Sequence, residues 1–224
     1  MTVAACILAA STESALRTIE GTPNVRRLVD LAWAGGATPI VVLTPDRVGA
    51  VSAVLAGSPA LVGTPAPESA GPVGQIARAV DIARVEIPGT DAVLIWPAQF
   101  GWVDAETVTS LIEAHGTDRA TVLRPAFRGE AGWPALVPVV HLEALRALDA
   151  ALMPGPLVEA LTAAVGGRFV ELGDPGTVHD LDTPRAELPP FEAPPEPASA
   201  HHHEWGSPAA AGPDEPPEPA RTVG

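Results

Sequence analysis

Residues 3–10 read Val3-Ala4-Ala5-Cys6-Ile7-Leu8-Ala9-Ala10, an unbroken apolar run. A run of that length and character fits a strand buried on both faces, the habit of parallel sheets. It passes into a polar stretch, Ser11 to Gly21, and then into a helix start. Thr22 stands where an N-cap accepts the first free amides, and Pro23 stands at the first helical position. Val25, Leu28, Val29, Leu31 and Ala32 recur at helical spacing, and Gly35-Gly36 ends the helix. The β-branched run from Thr38 to Thr44 completes a strand, helix and strand whose crossover is expected to be right-handed.

The alternation continues to about residue 185. Helices are predicted over 46–55, 72–85, 104–115, 141–150 and 155–165, and strands over 60–62, 91–95, 120–123, 135–140, 169–171 and 178–181. Such a series specifies an α/β domain of three layers, a mostly parallel Rossmann-like sheet with helices on both faces.

Residues 186–224 differ in kind. They hold 10 of the 26 prolines, seven carboxylates and a single arginine, with no periodic apolar pattern. Two regions are therefore expected, a domain over 1–185 and a disordered, proline-rich acidic tail over 186–224. The chain contains no lysine, and its net charge is −14. Both halves are acidic, so nucleic acid is not an expected partner. Neither a charged leader nor a long apolar stretch opens the chain, so no membrane association is expected and the expected location is cytoplasmic. The single cysteine, Cys6, sits inside the first strand and reads as an inert core thiol.

Four segments, in order, resemble the MobA-like nucleotidyltransferase family, and most its branch that attaches CMP to the molybdopterin cofactor. Leu8-Ala9-Ala10-Ser11 is similar to the family's phosphate loop, with Ser11 in place of a glycine and Arg17 the only cation before Gly21. Gly71-Pro72-Val73-Gly74-Gln75 resembles the loop that touches the base, with Gln75 in place of a serine. Asp91 to Glu106 resembles the stretch carrying a metal-binding Asp, and Gln99 stands at that position. Asp174-Pro175-Gly176 and Asp180-Leu181-Asp182-Thr183-Pro184 resemble the closing motifs, and there Asp182 corresponds to a second metal ligand. Between them, Arg124-Pro125 and Gly132-Trp133-Pro134 resemble the segment that lines the pterin side.

The resemblance implies a nucleotidyltransferase fold and NMP transfer from an NTP, with CTP favoured, to a phosphorylated acceptor, with Mg²⁺ as cofactor. It implies catalytic roles for Arg17, Gln99 and Asp182, nucleotide contacts from Leu8, Ala9, Ala10, Ser11, Gly71, Gly74 and Gln75, and acceptor contacts from Arg124, Gly132 and Trp133. Asp182 is the implied metal ligand. A neutral amide at 99 lacks the charge that holds Mg²⁺ beside a triphosphate, so weak or lost activity is expected. The alternative is a non-catalytic binding protein that assists a molybdenum hydroxylase or its maturation factor. A lesser one is a sugar- or lactate-activating transferase on the same scaffold.

Several residues carry two readings. Arg17 either replaces the missing lysine as a fork for phosphate oxygens or is merely solvated. Asp104 and Glu106 either lend a carboxylate or cap a helix. Asp182 either binds metal or caps the segment from Pro184. Trp96, Trp102 and Trp133 either plug the cleft or stack on a flat ring, and Trp33 is expected in the core. His201-His202-His203 is either a weak chelating tract or incidental composition.

Overall fold

Alternate residues of the first strand face opposite ways, and each set finds its own layer of helices. The computed structural model describes residues 1–192. Its strands are β1 (Val3–Leu8), β2 (Thr18–Ile19), β3 (Thr22–Pro23), β4 (Ile40–Leu43), β5 (Ala60–Gly63), β6 (Ala92–Pro97), β7 (Val122–Phe127), β8 (Glu130–Ala131), β9 (Ala135–Pro138) and β10 (Gly167–Glu171). Its helices are α1 (Thr12–Leu16), α2 (Asn24–Ala34), α3 (Ala50–Val54), α4 (Gly71–Glu86), α5 (Ala105–Thr117), α6 (Leu142–Arg146) and α7 (Pro154–Val165).

The main sheet has eight strands in the order β10-β7-β9-β6-β1-β4-β5, with β8 paired to β7. β1 lies between β4 and β6 and is parallel to both, while β9 runs antiparallel between β6 and β7. Val3, Ala5 and Ile7 pack with Val25, Leu28 and Val29 of α2 and with Val108 and Leu111 of α5. Ala4 and Cys6 pack on the other face with Ile76, Ala79 and Val80 of α4 and with residues of α6 and α7. Helices thus cover both faces, the three-layer mostly parallel arrangement that the alternation implies. Cys6 is fully buried, and burial pushes its thiol up to about 12.

Local differences from the sequence expectation have local causes. Thr22 and Pro23 do not begin α2; they pair antiparallel with Thr18 and Ile19, and the helix starts at Asn24. Ser11 begins a short helix instead of a loop, because its hydroxyl accepts the amide of Ser14. The helix predicted over 46–55 shrinks to 50–54: Gly49 turns the chain with φ of 74°, and the Asp46 carboxylate takes the amides of Val51 and Ser52. No strand forms over 178–181, since the Leu181 amide donates to the Gln99 carbonyl at 2.9 Å and not to a strand neighbour. Trp33, expected in the core, is 58% exposed. It lies on the helix face of Arg26 and Asp30, about 100° around from the buried Ala32.

Residues 186–192, expected to begin the tail, include part of a 3-10 turn at Arg185–Glu187, and the Glu192 amide donates to Gly173 O at 2.9 Å. Arg128 pairs with the Glu192 carboxylate. The rest of the expected tail, including the His201-His202-His203 tract, lies outside the described residues. Among the described residues no helix is long and apolar enough to cross a membrane.

His115, in the last turn of α5, is fully buried with both ring nitrogens lacking a partner. Burial holds its pKa below the ordinary 6.5, with Asp91 pulling the other way. The unfolded chain takes up the proton first as pH falls, so stability declines below about 6.5 and levels off once the folded state also protonates. Urea melts of wild type between about pH 7 and pH 5 should show this decline, and His115→Leu should flatten it. An unchanged pH profile in the variant would remove His115 as the cause.

Candidate functional site

The carboxyl ends of β1, β4 and β6 open onto a cleft of about 760 Å³. That edge is where open α/β sheets bind ligands, because the loops there diverge and leave space between them. Leu8, Ala9 and Ala10 form its floor beside Leu43 and Pro97, while Pro65, Ala66, Pro72, Phe100, Trp133 and Met153 make an apolar surround.

Polar groups reach the cleft from several segments. Arg17 follows α1, Gln75 lies on α4, Gln99 follows β6, and Asp180 and Asp182 belong to the closing segment. Arg17 and Asp182 meet across it: Nη1 donates to Asp182 Oδ1 at 2.9 Å, and Nη2 donates to Leu181 O at 2.8 Å. Asp182 remains 85% exposed, so this ion pair is worth little to stability. Its importance is positional, because it commits the one cation among the described residues of the lining to a carboxylate. Asp182 does not cap the segment from Pro184, whose turn has no side-chain cap.

The start of α1 is closed on itself. Ser14 Oγ accepts the Ser11 amide at 3.2 Å, and Ser11 Oγ accepts the Ser14 amide at 3.0 Å. Two amides that a phosphate could meet are therefore occupied.

Gln75 clamps the opposite wall. Its Oε1 accepts the Ala66 amide at 2.8 Å and its Nε2 donates to Ala66 O at 2.9 Å, so one side chain pins the loop between β5 and α4. Gly71 opens α4 with φ of 59° and ψ of −170°. A Cβ there would stand 1.9 Å from Ala150 O, so the glycine serves a close approach as well as the cleft wall.

Trp133 is 6% exposed and lines the cleft. Phe100 tilts against it at 5.9 Å, and the Arg124 guanidinium stands 5.3 Å from its ring. Arg124 itself is buried, donating to Gly132 O and Ala131 O at 3.2 Å each, and burial lowers its pKa against the pull of Glu159. Trp96 is fully buried with its indole NH on Phe100 O. Trp102 is half-buried, with Arg27 and Arg185 each near its ring and its NH on Thr183 O.

The structure thus brings Leu8, Ala9, Ala10, Arg17, Gly71, Gln75, Gln99, Trp133 and Asp182 to one cleft. Ser11, Gly74, Arg124 and Gly132 are not part of its lining. Gly132 packs on Thr177, where a Cβ would lie 2.5 Å from Thr177 O, and Gly74 faces Ala70. Asp104 is a cap, accepting the Glu106 amide at 3.2 Å. Sequence reasoning missed Asn24, which is 1% exposed, lines the cleft and donates to Ala98 O at 2.8 Å. A polar residue four before the apolar Leu28 on the same helix face was its only signal. Glu68, also in the lining, gave none.

Among the described residues no group of three His, Cys, Asp or Glu side chains is placed to hold a metal by itself, and Gln99 is neutral. Asp180 and Asp182 are the carboxylates of the closing segment that could meet a divalent ion arriving on a nucleotide's phosphates, Asp182 once released from Arg17.

Several solved structures share the fold. A nucleotidyl transfer enzyme from Methanothermobacter thermautotroptrophicus is 20% identical, with a TM-score of 0.60 over 76% of this chain and 86% of that one. Rv0371c of Mycobacterium tuberculosis, in complex with manganese, is 16% identical with a TM-score of 0.59, over 77% of this chain and 88% of that one. The 2-C-methyl-D-erythritol 4-phosphate cytidylyltransferase of Thermus thermophilus is 17% identical with a TM-score of 0.60, over 82% and 94%. No curated protein matches the chain. The profile of the MobA-like NTP transferase domain matches residues 11–165, from the cap of α1 through α7, and the chain belongs to that family.

Proposed function

We propose that the cleft receives a nucleotide, CTP first among them, and transfers its NMP slowly to a phosphorylated, pterin-type acceptor. The observation that carries this is the convergence of residues 8–10, Arg17, Gly71, Gln75, Gln99 and Asp182 on one cleft in a chain of this family. The base would lie toward Gly71 and Gln75 and the phosphates toward Arg17. An acceptor phosphate oxygen would bond to the α-phosphorus while the α–β bridge breaks and pyrophosphate leaves. Arg17 is the group available to meet the charge that develops.

Slowness follows from what the cleft lacks. One missing charge-stabilising donor typically costs about 3–4 kcal/mol at the transition state. Here there is no lysine in the chain, and Gln99 carries no charge. Incubation with CTP, GTP or ATP, Mg²⁺ and molybdopterin should release pyrophosphate at less than about 0.01 per second, roughly a thousandth of an ordinary turnover. Each nucleotide that binds should raise the melting temperature. Absence of both a thermal shift and pyrophosphate with every nucleotide would defeat the proposal.

A non-catalytic role, assisting a molybdenum hydroxylase or its maturation, is favoured by one observation: Arg17 and Asp182 neutralise each other within the cleft. Stable nucleotide binding with no pyrophosphate, together with a partner captured only when residues 186–224 are present, would favour that role. Absence of any such partner would count against it.

A further inference from the structure

Charge at the cleft is unevenly supplied. Among the described residues of its lining, Arg17 is the one cation, and the same lining holds three carboxylates, those of Glu68, Asp180 and Asp182. Two of its donors are taken by Asp182 and Leu181 O. The remaining edge of a guanidinium can fork onto the oxygens of one phosphate. Further phosphates would meet no second cation among the described residues of the lining. The Ser11 and Ser14 amides are bonded to each other's hydroxyls, and among the described residues no group of three ligating side chains is placed to hold a divalent ion ahead of the nucleotide. The apolar part of the wall, which includes Leu8, Leu43, Pro65, Pro97, Phe100 and Trp133, suits a base and sugar and lowers the local dielectric.

We infer that this cleft is matched to a nucleotide carrying a single phosphate, so that it holds a nucleoside monophosphate more tightly than the corresponding triphosphate. The inference rests on the cleft being a nucleotide site, as proposed above, and names the ligand class it retains. A monophosphate carries about two negative charges, which Arg17 meets in part. Every added phosphate brings more negative charge toward Glu68 and Asp180 without a further cation, and like charges in a partly dry cleft repel. A tightly retained monophosphate would also slow any transfer that must start from a triphosphate.

The test is calorimetric titration of the full chain with the four ribonucleoside monophosphates and triphosphates, once in EDTA and once in Mg²⁺. For the base that binds tightest, the monophosphate should bind at least about tenfold more tightly than the triphosphate in EDTA. Mg²⁺, which screens the triphosphate, should narrow the gap without reversing it. Arg17→Ala should bring the monophosphate down to the affinity of the bare nucleoside, whose own binding stays unchanged. Arg17 is about half exposed, so the variant is expected to fold. Asp182→Asn should release the guanidinium and tighten both ligands, the triphosphate more. Equal or tighter binding of the triphosphate in either buffer would overturn the inference while leaving the nucleotide site standing. An Arg17→Ala variant that keeps the monophosphate advantage would overturn it as well. Failure of every nucleotide to bind would instead defeat the site itself.

Discussion

Replacing Asp174 with alanine should cost about 3–5 kcal/mol of folding free energy and lower the melting temperature by roughly 10 °C. Asp174 is 3% exposed, and its carboxylate accepts three donors: the Gly176 amide at 2.8 Å, the Asp104 amide at 2.9 Å and Thr107 Oγ1 at 2.7 Å. A hydrogen bond to a charged group contributes about 1.5–3 kcal/mol, and three sharing one carboxylate are less than additive. The alanine variant strands all three donors, and two of them lie at the start of α5. Asp174→Asn keeps one acceptor oxygen and should lose about half as much. The effect extends to the cleft, because the turn that Asp174 caps presents Thr177 O to the Trp133 amide at 2.8 Å. Urea denaturation of both variants checks the expectation, and a loss below about 1 kcal/mol in Asp174→Ala would remove the carboxylate as the joint between these segments.

Gly71→Ala should be nearly as damaging, at about 3–4 kcal/mol. Its φ of 59° with ψ of −170° lies in a region open essentially to glycine alone. That strain accounts for about 1–3 kcal/mol, and a Cβ 1.9 Å from Ala150 O forces backbone to move as well. Gly129 provides the control: its φ is 79°, but nothing lies within 4 Å of a Cβ there. Gly129→Ala should therefore lose only about 1–2 kcal/mol, the conformational part alone. If both variants melt alike, the contact with Ala150 does not matter.

Periodicity made much of the fold legible. The apolar run of β1 and the helical spacing of Val25, Leu28 and Val29 in α2 report burial directly, since each side chain's face is set by its position along the element. The same signal failed where a local bond outweighed propensity. Pro23 is a good first helical residue, yet the Thr18–Thr22 hairpin claims it as a strand partner. Trp33 is large and apolar, but helix geometry turns it to the face of Arg26 and Asp30, where it is left largely exposed among the described residues. For the segment 178–181, β-like composition did not matter, because its amide found the Gln99 carbonyl.

The cleft divides along similar lines. That it opens at the carboxyl edge of the sheet follows from the α/β class the sequence implies, while the strand order that puts it at β1, β4 and β6 comes from the structure. The missing lysine and the neutral Gln99 could be read from the chain alone. How the remaining polar groups are used could not. Arg17 and Asp182 lie 165 residues apart and meet at 2.9 Å, while Gln75 closes on Ala66 instead of facing the cleft freely.

Order of elements, the two-sided burial of the sheet and the supply of charged side chains were thus determined by the sequence by itself, because hydrophobic periodicity and composition are properties of the chain. Only the tertiary structure decided that Arg17 in the cleft is already paired, that Arg124 turns inward beneath Trp133, and that Gly71 must remain a glycine. Hydrogen bonds and contacts act over about 3 Å, and which distant groups come that close is settled when the layers pack together.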